Sequence, residues 1–223
     1  MKNVVLCYSG GLDSTVLLYW LRNQGINVRC LAVNYGQKHK KELDAGMMTA
    51  LNLGVHLEVI DFTHTRLPNL IATSSQTSAN IEVPEGHYEE ESMKLTVVPN
   101  RNMLLLALAG SWAVATKSDA VAYAAHSGDH AIYPDCRPEF TEVMDKALRM
   151  CDWHEVKLIR PFLSPRGMSK ADIVKLGSDL GVPFAETWSC YKGGAKHCGK
   201  CGTCVERREA FQVARVTDPT EYE

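Results

Sequence analysis

A glycine pair set between an apolar run and a helical repeat constrains this chain more than any other feature of its sequence. Asn3-Val4-Val5-Leu6-Cys7 is short, β-branched and bounded by a polar start, the pattern of a buried parallel strand. Val16, Leu17, Trp20 and Leu21 then recur at helical spacing as far as Gly25, where a helix should stop. Between them lies Tyr8-Ser9-Gly10-Gly11-Leu12-Asp13-Ser14-Thr15. Two glycines can take positive φ and carry no Cβ, so several backbone N–H groups can converge on one anion at a helix N-terminus. The expected ligand is a polyphosphate; the plainer alternative is an ordinary turn with a Ser/Asp helix cap.

Spacing excludes two nucleotide signatures. A Walker loop needs four residues between its glycines followed by Gly-Lys-Ser/Thr, and a dinucleotide fingerprint needs Gly-x-Gly-x-x-Gly; neither is present. Ser-Gly-Gly-Leu-Asp-Ser instead resembles the pyrophosphate loop of the ATP pyrophosphatases, which cut ATP between its α and β phosphates and pass AMP to a substrate. The resemblance implies that Ser9, Gly10, Gly11, Leu12, Asp13 and Ser14 cradle pyrophosphate. Tyr8 before them and Thr15, Val16, Leu17 and Leu18 after them complete the ATP-binding stretch, and Asp13 helps to position Mg²⁺.

With 223 residues, 45% of them hydrophobic, and a formal charge of −2, the chain fits one globular α/β unit with a small appendage. No apolar run approaches a membrane span, and the N-terminus lacks a basic region followed by a signal-type stretch, so the expected location is the cytoplasm. Eight cysteines in a reducing compartment are not read as four disulfides. The balanced charge offers no basic footprint for nucleic acid.

Strand and helix signals alternate along the chain, the pattern of a parallel sheet covered on both faces. A second strand over Val28–Val33, a helix over about Lys40–Leu53 and a third strand over His56–Phe62 follow the first unit, and the expected strand order is 3-2-1-4-5. Val33 to Gln37 end the second strand on the ligand side and are candidates for an adenine and ribose wall; a solvent loop closed by Gly36 is the alternative. From Thr63 to Val98 periodicity breaks down through Ser74-Ser75-Gln76-Thr77-Ser78 and an acidic run at Glu82, Glu85, Glu89, Glu90 and Glu91. Such an insert reads either as a lid or as a solvated excursion. The boundaries expected are 1–184 for the nucleotide-binding unit and 185–223 for a tail.

Pro99-Asn100-Arg101-Asn102 leads into an apolar helix over Met103–Thr116, so Arg101 and Asn102 should stand at a helix start where a guanidinium can pair with a carboxylate or phosphate. After a fourth strand, Ala120–Ala124, two His, two Asp, an Arg and a Cys crowd into His126-Ser127-Gly128-Asp129-His130-Ala131-Ile132-Tyr133-Pro134-Asp135-Cys136-Arg137, a density that suggests recognition or catalysis. Cys136 alone reads as a small buried residue. Phe140, Val143, Met144, Ala147, Leu148 and Cys151 make a helical stripe that should be core. A fifth strand over Glu155–Ile159 precedes Ser169-Lys170-Ala171-Asp172, a capping box opening a helix. A lysine in a first turn opposes the helix dipole, and contact with phosphates would explain Lys170.

In the tail, Cys190, Cys198, Cys201 and Cys204 are spaced C-x7-C-x2-C-x2-C. Four soft ligands can close on one tetrahedral Zn²⁺ with no open position, which makes the role structural; an iron–sulfur cluster is the chemical alternative.

The pyrophosphate loop, Tyr35-Gly36-Gln37-Lys38-His39, Asn100-Arg101-Asn102, Tyr133-Pro134-Asp135-Cys136-Arg137 and the four-cysteine tail together resemble the 7-cyano-7-deazaguanine synthase family, over nearly the whole chain. The resemblance implies an adenine-nucleotide α-hydrolase-like doubly wound five-stranded sheet with a small zinc-binding subdomain. It also implies a carbon–nitrogen ligase that turns ATP, ammonia and 7-carboxy-7-deazaguanine into the nitrile through adenylated acid and amide intermediates. Asp13, Lys170, Arg101 and Asp135 are then the catalytic candidates, and Arg101, Asn102, Asp129, Asp135 and Arg137 the substrate-binding ones. Family members are often homodimers. The chain departs from the pattern at Ala-His-Ser-Gly-Asp-His-Ala-Ile, where others have Gly-Val-x-Glu-Thr-Asp-Phe-Ser-Gly, and at Asn100, where others carry glycine. An enzyme stopping at the amide, or joining the carboxylate to another amine, would use the same parts. A tRNA-modifying pyrophosphatase and a zinc-stabilised nucleotide sensor are the readings from other classes.

Overall fold

The computed structural model describes residues 1–88, 91–129, 132–163 and 166–223. Five strands, β1 (Asn3–Cys7), β2 (Asn27–Asn34), β3 (His56–Asp61), β4 (Ala120–Ala122) and β5 (Lys157–Ile159), form one parallel sheet in the order β3-β2-β1-β4-β5. This is the expected order. β1 is central: Val5 stands opposite Arg29 of β2 and Val121 of β4, and all of its interior residues are buried. Its period of two splits the core, because successive side chains point to opposite faces. Val4 and Leu6 pack with α1 (Leu12–Asn23), α6 (Lys170–Asp179) and α7 (Gly202–Ala214), whereas Val5 packs with α4 (Arg101–Ala115) and α5 (Pro138–Met150). Two further helices, α2 (Lys41–Leu53) and the short α3 (Leu67–Leu70), lie between these elements in the chain.

β4 and β5 each have three residues, shorter than their apolar runs suggest, since ladder pairing ends at Ala122 and Ile159. On α5 the buried residues are Thr141, Met144 and Leu148, while Val143, Ala147 and Cys151 are exposed. The expected six-residue core stripe is therefore corrected to a narrow one. α5 covers the end of the sheet at β5, and an edge strand of three residues offers little surface to a second row of side chains.

The stretch from Thr63 to Val98 is partly exposed and partly buried among its described residues. Ser74, Ser75 and Gln76 are wholly buried. Their polar groups serve a loop backbone that has no ladder: Ser75 N–H and Ser74 Oγ donate to Leu95 O at 2.7 and 3.1 Å, and Gln76 Nε2 donates to Thr96 O at 2.8 Å. A buried segment without strand pairing must satisfy its peptides in this way. Glu89 and Glu90, part of the acidic run, lie outside the described residues.

Gly177 lets α6 approach α1: a Cβ there would lie 2.7 Å from Val16 Cγ2 and 2.6 Å from Phe184 Cζ. Both neighbours are buried, so the clash cannot be relieved into solvent. Gly177→Ala is expected to cost about 1–3 kcal/mol through overpacking. Chemical denaturation of the variant beside the parent checks this.

Candidate active site

The C-terminal ends of β1, β2 and β4 open into one cleft, walled by the β1–α1 turn, the segment after β2, the first turn of α4, the loop after β4 and the tail. In the turn, Gly10 takes φ +86° and Gly11 an extended φ of −74°, so only the first glycine uses the left-handed freedom that both possess. Gly10 also permits a close backbone contact: a Cβ there would stand 2.0 Å from Glu42 O and 2.5 Å from Gly46 N on α2. Ser9, Gly11, Leu12, Asp13 and Ser14 line the cleft with Tyr8. Ser9 Oγ accepts from Gly11 N–H at 3.0 Å and meets Ser14 Oγ at 3.1 Å, and no side chain caps the N-terminus of α1. Uncapped N–H groups and the helix dipole make this an anion-favouring end. Thr15 is buried beneath, 3.2 Å from Tyr8 Oη, and Val16, Leu17 and Leu18 are wholly buried core. The last four form the floor of the loop and do not line the cleft.

Lys170 reaches the turn from α6, whose Ser169/Asp172 capping box is closed in both directions. Its Nζ lies 2.6 Å from Asp13 Oδ2 and 3.3 Å from Glu206 Oε2 on α7. Burial opposes the charge on Lys170, but Asp13, Glu206 and Asp129 outweigh it and hold the ammonium protonated. Burial would likewise raise the Asp13 pKa, and Lys170 with His126 more than offsets it, so the carboxyl sits below its ordinary range. Among the described residues Asp13 Oδ1 is buried without a hydrogen-bond partner, which leaves a carboxylate oxygen available to a cation.

Arg101 and Asn102 open α4, as expected, after Asn100 in the left-handed region at φ +52°. Both line the cleft, and the Arg101 guanidinium stands 5.8 Å from the Tyr133 ring centroid. Val33 and Tyr35 also line it, whereas Gln37 is buried and shapes the bend, accepting from Tyr35 N–H at 3.0 Å and donating to Val33 O at 3.2 Å. From the loop after β4, Asp129 and Cys136 face the cleft. Asp129 Oδ1 accepts from Tyr88 Oη at 3.2 Å and lies 3.5 Å from Nε2 of the wholly buried His126. Asp135 stands outside the lining and accepts from Asn102 N–H at 3.2 Å, fixing the start of α4. Arg137 is exposed and also outside the lining. His130 lies outside the described residues. Burial pushes the Cys7 thiol up to about 12 and raises that of Cys136, so neither is poised as a nucleophile.

Cys190, Cys198, Cys201 and Cys204 are all buried, and their sulfurs lie within 4.8 Å of one another. Four thiolates at about 2.3 Å from a tetrahedral ion stand about 3.8 Å apart, close to this spacing. Backbone N–H groups of Cys198, Lys200 and Cys201 point at the sulfurs of Cys190 and Cys198 at 3.3–3.4 Å, as thiolate acceptors require. The cluster could hold one metal ion.

Sequence reasoning missed Glu206, Tyr88, Tyr191, Trp188 and Thr203, all of which line the cleft. Thr203 and Tyr191 lie between cysteines of the tail motif and Glu206 two residues beyond it, whereas Tyr88 and Trp188 belong to no short motif. His39, the last residue of the Tyr35–His39 motif, lines it too, with Glu42 3.2 Å away.

Replacing Lys170 by Met removes the principal influence that lowers the Asp13 pKa and leaves burial in control. The Asp13 carboxyl is then expected to titrate above its ordinary value instead of below it, read by ¹³C NMR. In the parent, the stability this carboxylate contributes is present above about pH 4 and is lost as pH falls through the lowered folded-state pKa. In the variant that acid-side contribution disappears.

Among solved structures, an NMN synthetase from Francisella tularensis shares the fold, with a TM-score of 0.51 and 16% identity over 82% of this chain and 63% of that one. The described residues contain no helix long and apolar enough to cross a membrane. A protein of Methanoregula boonei named 7-cyano-7-deazaguanine synthase is 51% identical over 219 residues, 98% of each chain. One of the same name from Allorhizobium ampelinum is 51% identical over 225 residues, covering 100% of this chain and 93% of the relative. The model of the queuosine biosynthesis protein QueC matches residues 3–215. With identity of this order along its length, the chain belongs to the queuosine biosynthesis protein QueC family.

Proposed function

We propose that the protein is an ATP-dependent 7-cyano-7-deazaguanine synthase acting on 7-carboxy-7-deazaguanine and ammonia. The observation that carries this reading is the meeting of the β1–α1 turn, Lys170 and Arg101 in one cleft, in a chain whose near-full-length relatives bear that name. The chemistry suits the parts. A carboxylate oxygen is a poor leaving group, so the acid attacks the α phosphorus of ATP and releases pyrophosphate. Ammonia then displaces AMP from the acyl adenylate and loses a proton, giving the amide. The amide oxygen then attacks the α phosphorus of a second ATP, releasing pyrophosphate and an N–H proton, and loss of AMP and the second proton from the imidate gives the nitrile.

Ser9 to Ser14 and Lys170 hold the pyrophosphate, where fixed N–H groups and an ammonium stabilise the charge that develops on the departing group. Asp13 would hold the Mg²⁺ that accompanies ATP, which would supply further charge neutralisation. Val33 and Tyr35 form the wall for adenine and ribose. Arg101 takes the substrate carboxylate in a bidentate pair, and Asp129 accepts from the N–H edge of the base. Asp135 acts at one remove by holding the first turn of α4, and Arg137 is the rim candidate. The four cysteines hold a structural Zn²⁺, with all ligand positions filled by protein.

The test is mass spectrometry of purified protein with Mg²⁺-ATP, ammonium and 7-carboxy-7-deazaguanine, with AMP and ADP quantified together. Nitrile with two AMP per product is expected, and Arg101→Ala lowers kcat/KM by at least about a hundredfold. Amide alone would move the end point to the first round; no product and no AMP would overturn the reading. Separately, metal analysis is expected to find one zinc per chain. Cys204→Ser, or a strong chelator, lowers Tm because metal binding energy is folding energy for the tail.

A further inference from the structure

The ammonium of Lys170 is held from two sides by carboxylates that come from opposite ends of the chain. Asp13 belongs to the first turn of α1 and Glu206 to α7, at 2.6 and 3.3 Å from Nζ. An ammonium carries three N–H donors on a rotatable terminal bond at the end of a flexible stem. One partner leaves it free to spin and swing. Two partners on different elements fix the position of the nitrogen and the direction of its third N–H.

Glu206 is itself pinned along the backbone. Cys204, two residues before it, sits in the sulfur cluster. Arg207, the next residue, is wholly buried, and its guanidinium donates to Thr187 Oγ1 at 2.8 Å, Ser189 Oγ at 3.0 Å and Phe184 O at 2.9 Å. Behind the carboxylate stands buried His126, its Nε2 3.9 Å from Glu206 Oε1. The Glu206 side chain is only 14% exposed, so solvent does little to weaken its attraction for the ammonium.

We propose that Glu206 is a positioning residue for Lys170, and that through it the four-cysteine tail sets where the phosphate-facing lysine stands. The inference rests on the reading that phosphates meet Lys170. It gives the tail a part in turnover as well as in stability.

Glu206→Gln keeps shape and loses charge, whereas Glu206→Asp keeps charge one methylene short. In the parent the Lys170 ammonium is expected to give its own ¹H–¹⁵N signal, assigned by its loss in Lys170→Arg. The Gln variant loses that signal to solvent exchange and the Asp variant retains it. In turnover, Glu206→Gln lowers kcat about ten- to a hundredfold, the size of effect that misplacing a catalytic group by about an ångström produces. KM for ATP stays within about threefold, Glu206→Asp recovers part of the loss, metal content stays at the parent value, and Tm falls but remains above the assay temperature. An ammonium signal surviving in Glu206→Gln, or a kcat within about twofold of the parent, overturns the proposal. So does a loss of kcat that merely follows a loss of metal or of folded protein at the assay temperature, which marks the role as structural. If the parent releases no AMP, the reading under Proposed function fails, and the ammonium signal alone decides this one.

Discussion

A charged ammonium shielded from solvent among carboxylates is the interaction on which the rest of the structure depends. Desolvating an ion costs several kcal/mol unless its partners are close and well placed. Here the partners of Lys170 come from the β1–α1 turn and from α7, so three elements far apart in sequence must arrive at one point. The turn can deliver Asp13 only if it lies flat against α2. Gly10 allows this, because its Cα approaches the backbone of Glu42 and Gly46 where no side chain would fit. On the other flank, Gly177 lets α6 close against α1 and carry Lys170 inward.

That convergence accounts for features a local reading cannot explain. Lysine in the first turn of α6 opposes the helix dipole, yet the capping box holds Asp172 in the same turn, and Asp13 and Glu206 supply the remaining countercharge. Buried Arg207 is the tail's counterpart. Three donated bonds to Thr187, Ser189 and Phe184, with Asp218 Oδ1 3.4 Å from Nε, attach α7 to the segment that precedes the cysteines. Each buried cation is thus an assembly point between elements and contributes little as a local contact.

What was legible in the sequence follows from range. The apolar run Asn3–Cys7 and the strand–helix rhythm are local patterns, and with right-handed crossovers they led to the correct strand order. The spacing of Cys190, Cys198, Cys201 and Cys204 is likewise local once its chemistry is known. Illegible were residues whose role depends on where a distant element lands. Glu206 looks like any charged residue on a helix, and Tyr88 and Tyr191 lie in segments without periodicity. The buried Ser74–Gln76 stretch was unreadable for the same reason, since its partners, Leu95 and Thr96, lie about twenty residues on. The α5 stripe misled in the opposite direction: its periodicity was real, but an edge strand three residues long could not cover it.

The cysteine cluster joins two walls of the cleft. Val83 packs against it, Glu85 pairs with Cys201 in a β-bridge, and Gly86 N–H donates to Lys200 O at 3.0 Å, so the segment ending in Tyr88 is clasped to the tail. Tyr88 in turn donates to Asp129. On the other side the same cluster fixes the start of α7 and with it Glu206. Further along, α7 is anchored independently: Phe211 meets Phe184 edge-on at 4.9 Å within the main core. Loosening the clasp would therefore release Tyr88 and Glu206 together while leaving the sheet and the end of α7 in place. A structural centre so placed acts on the cleft from two sides, because the residues it holds are the ones that meet Asp129 and Lys170.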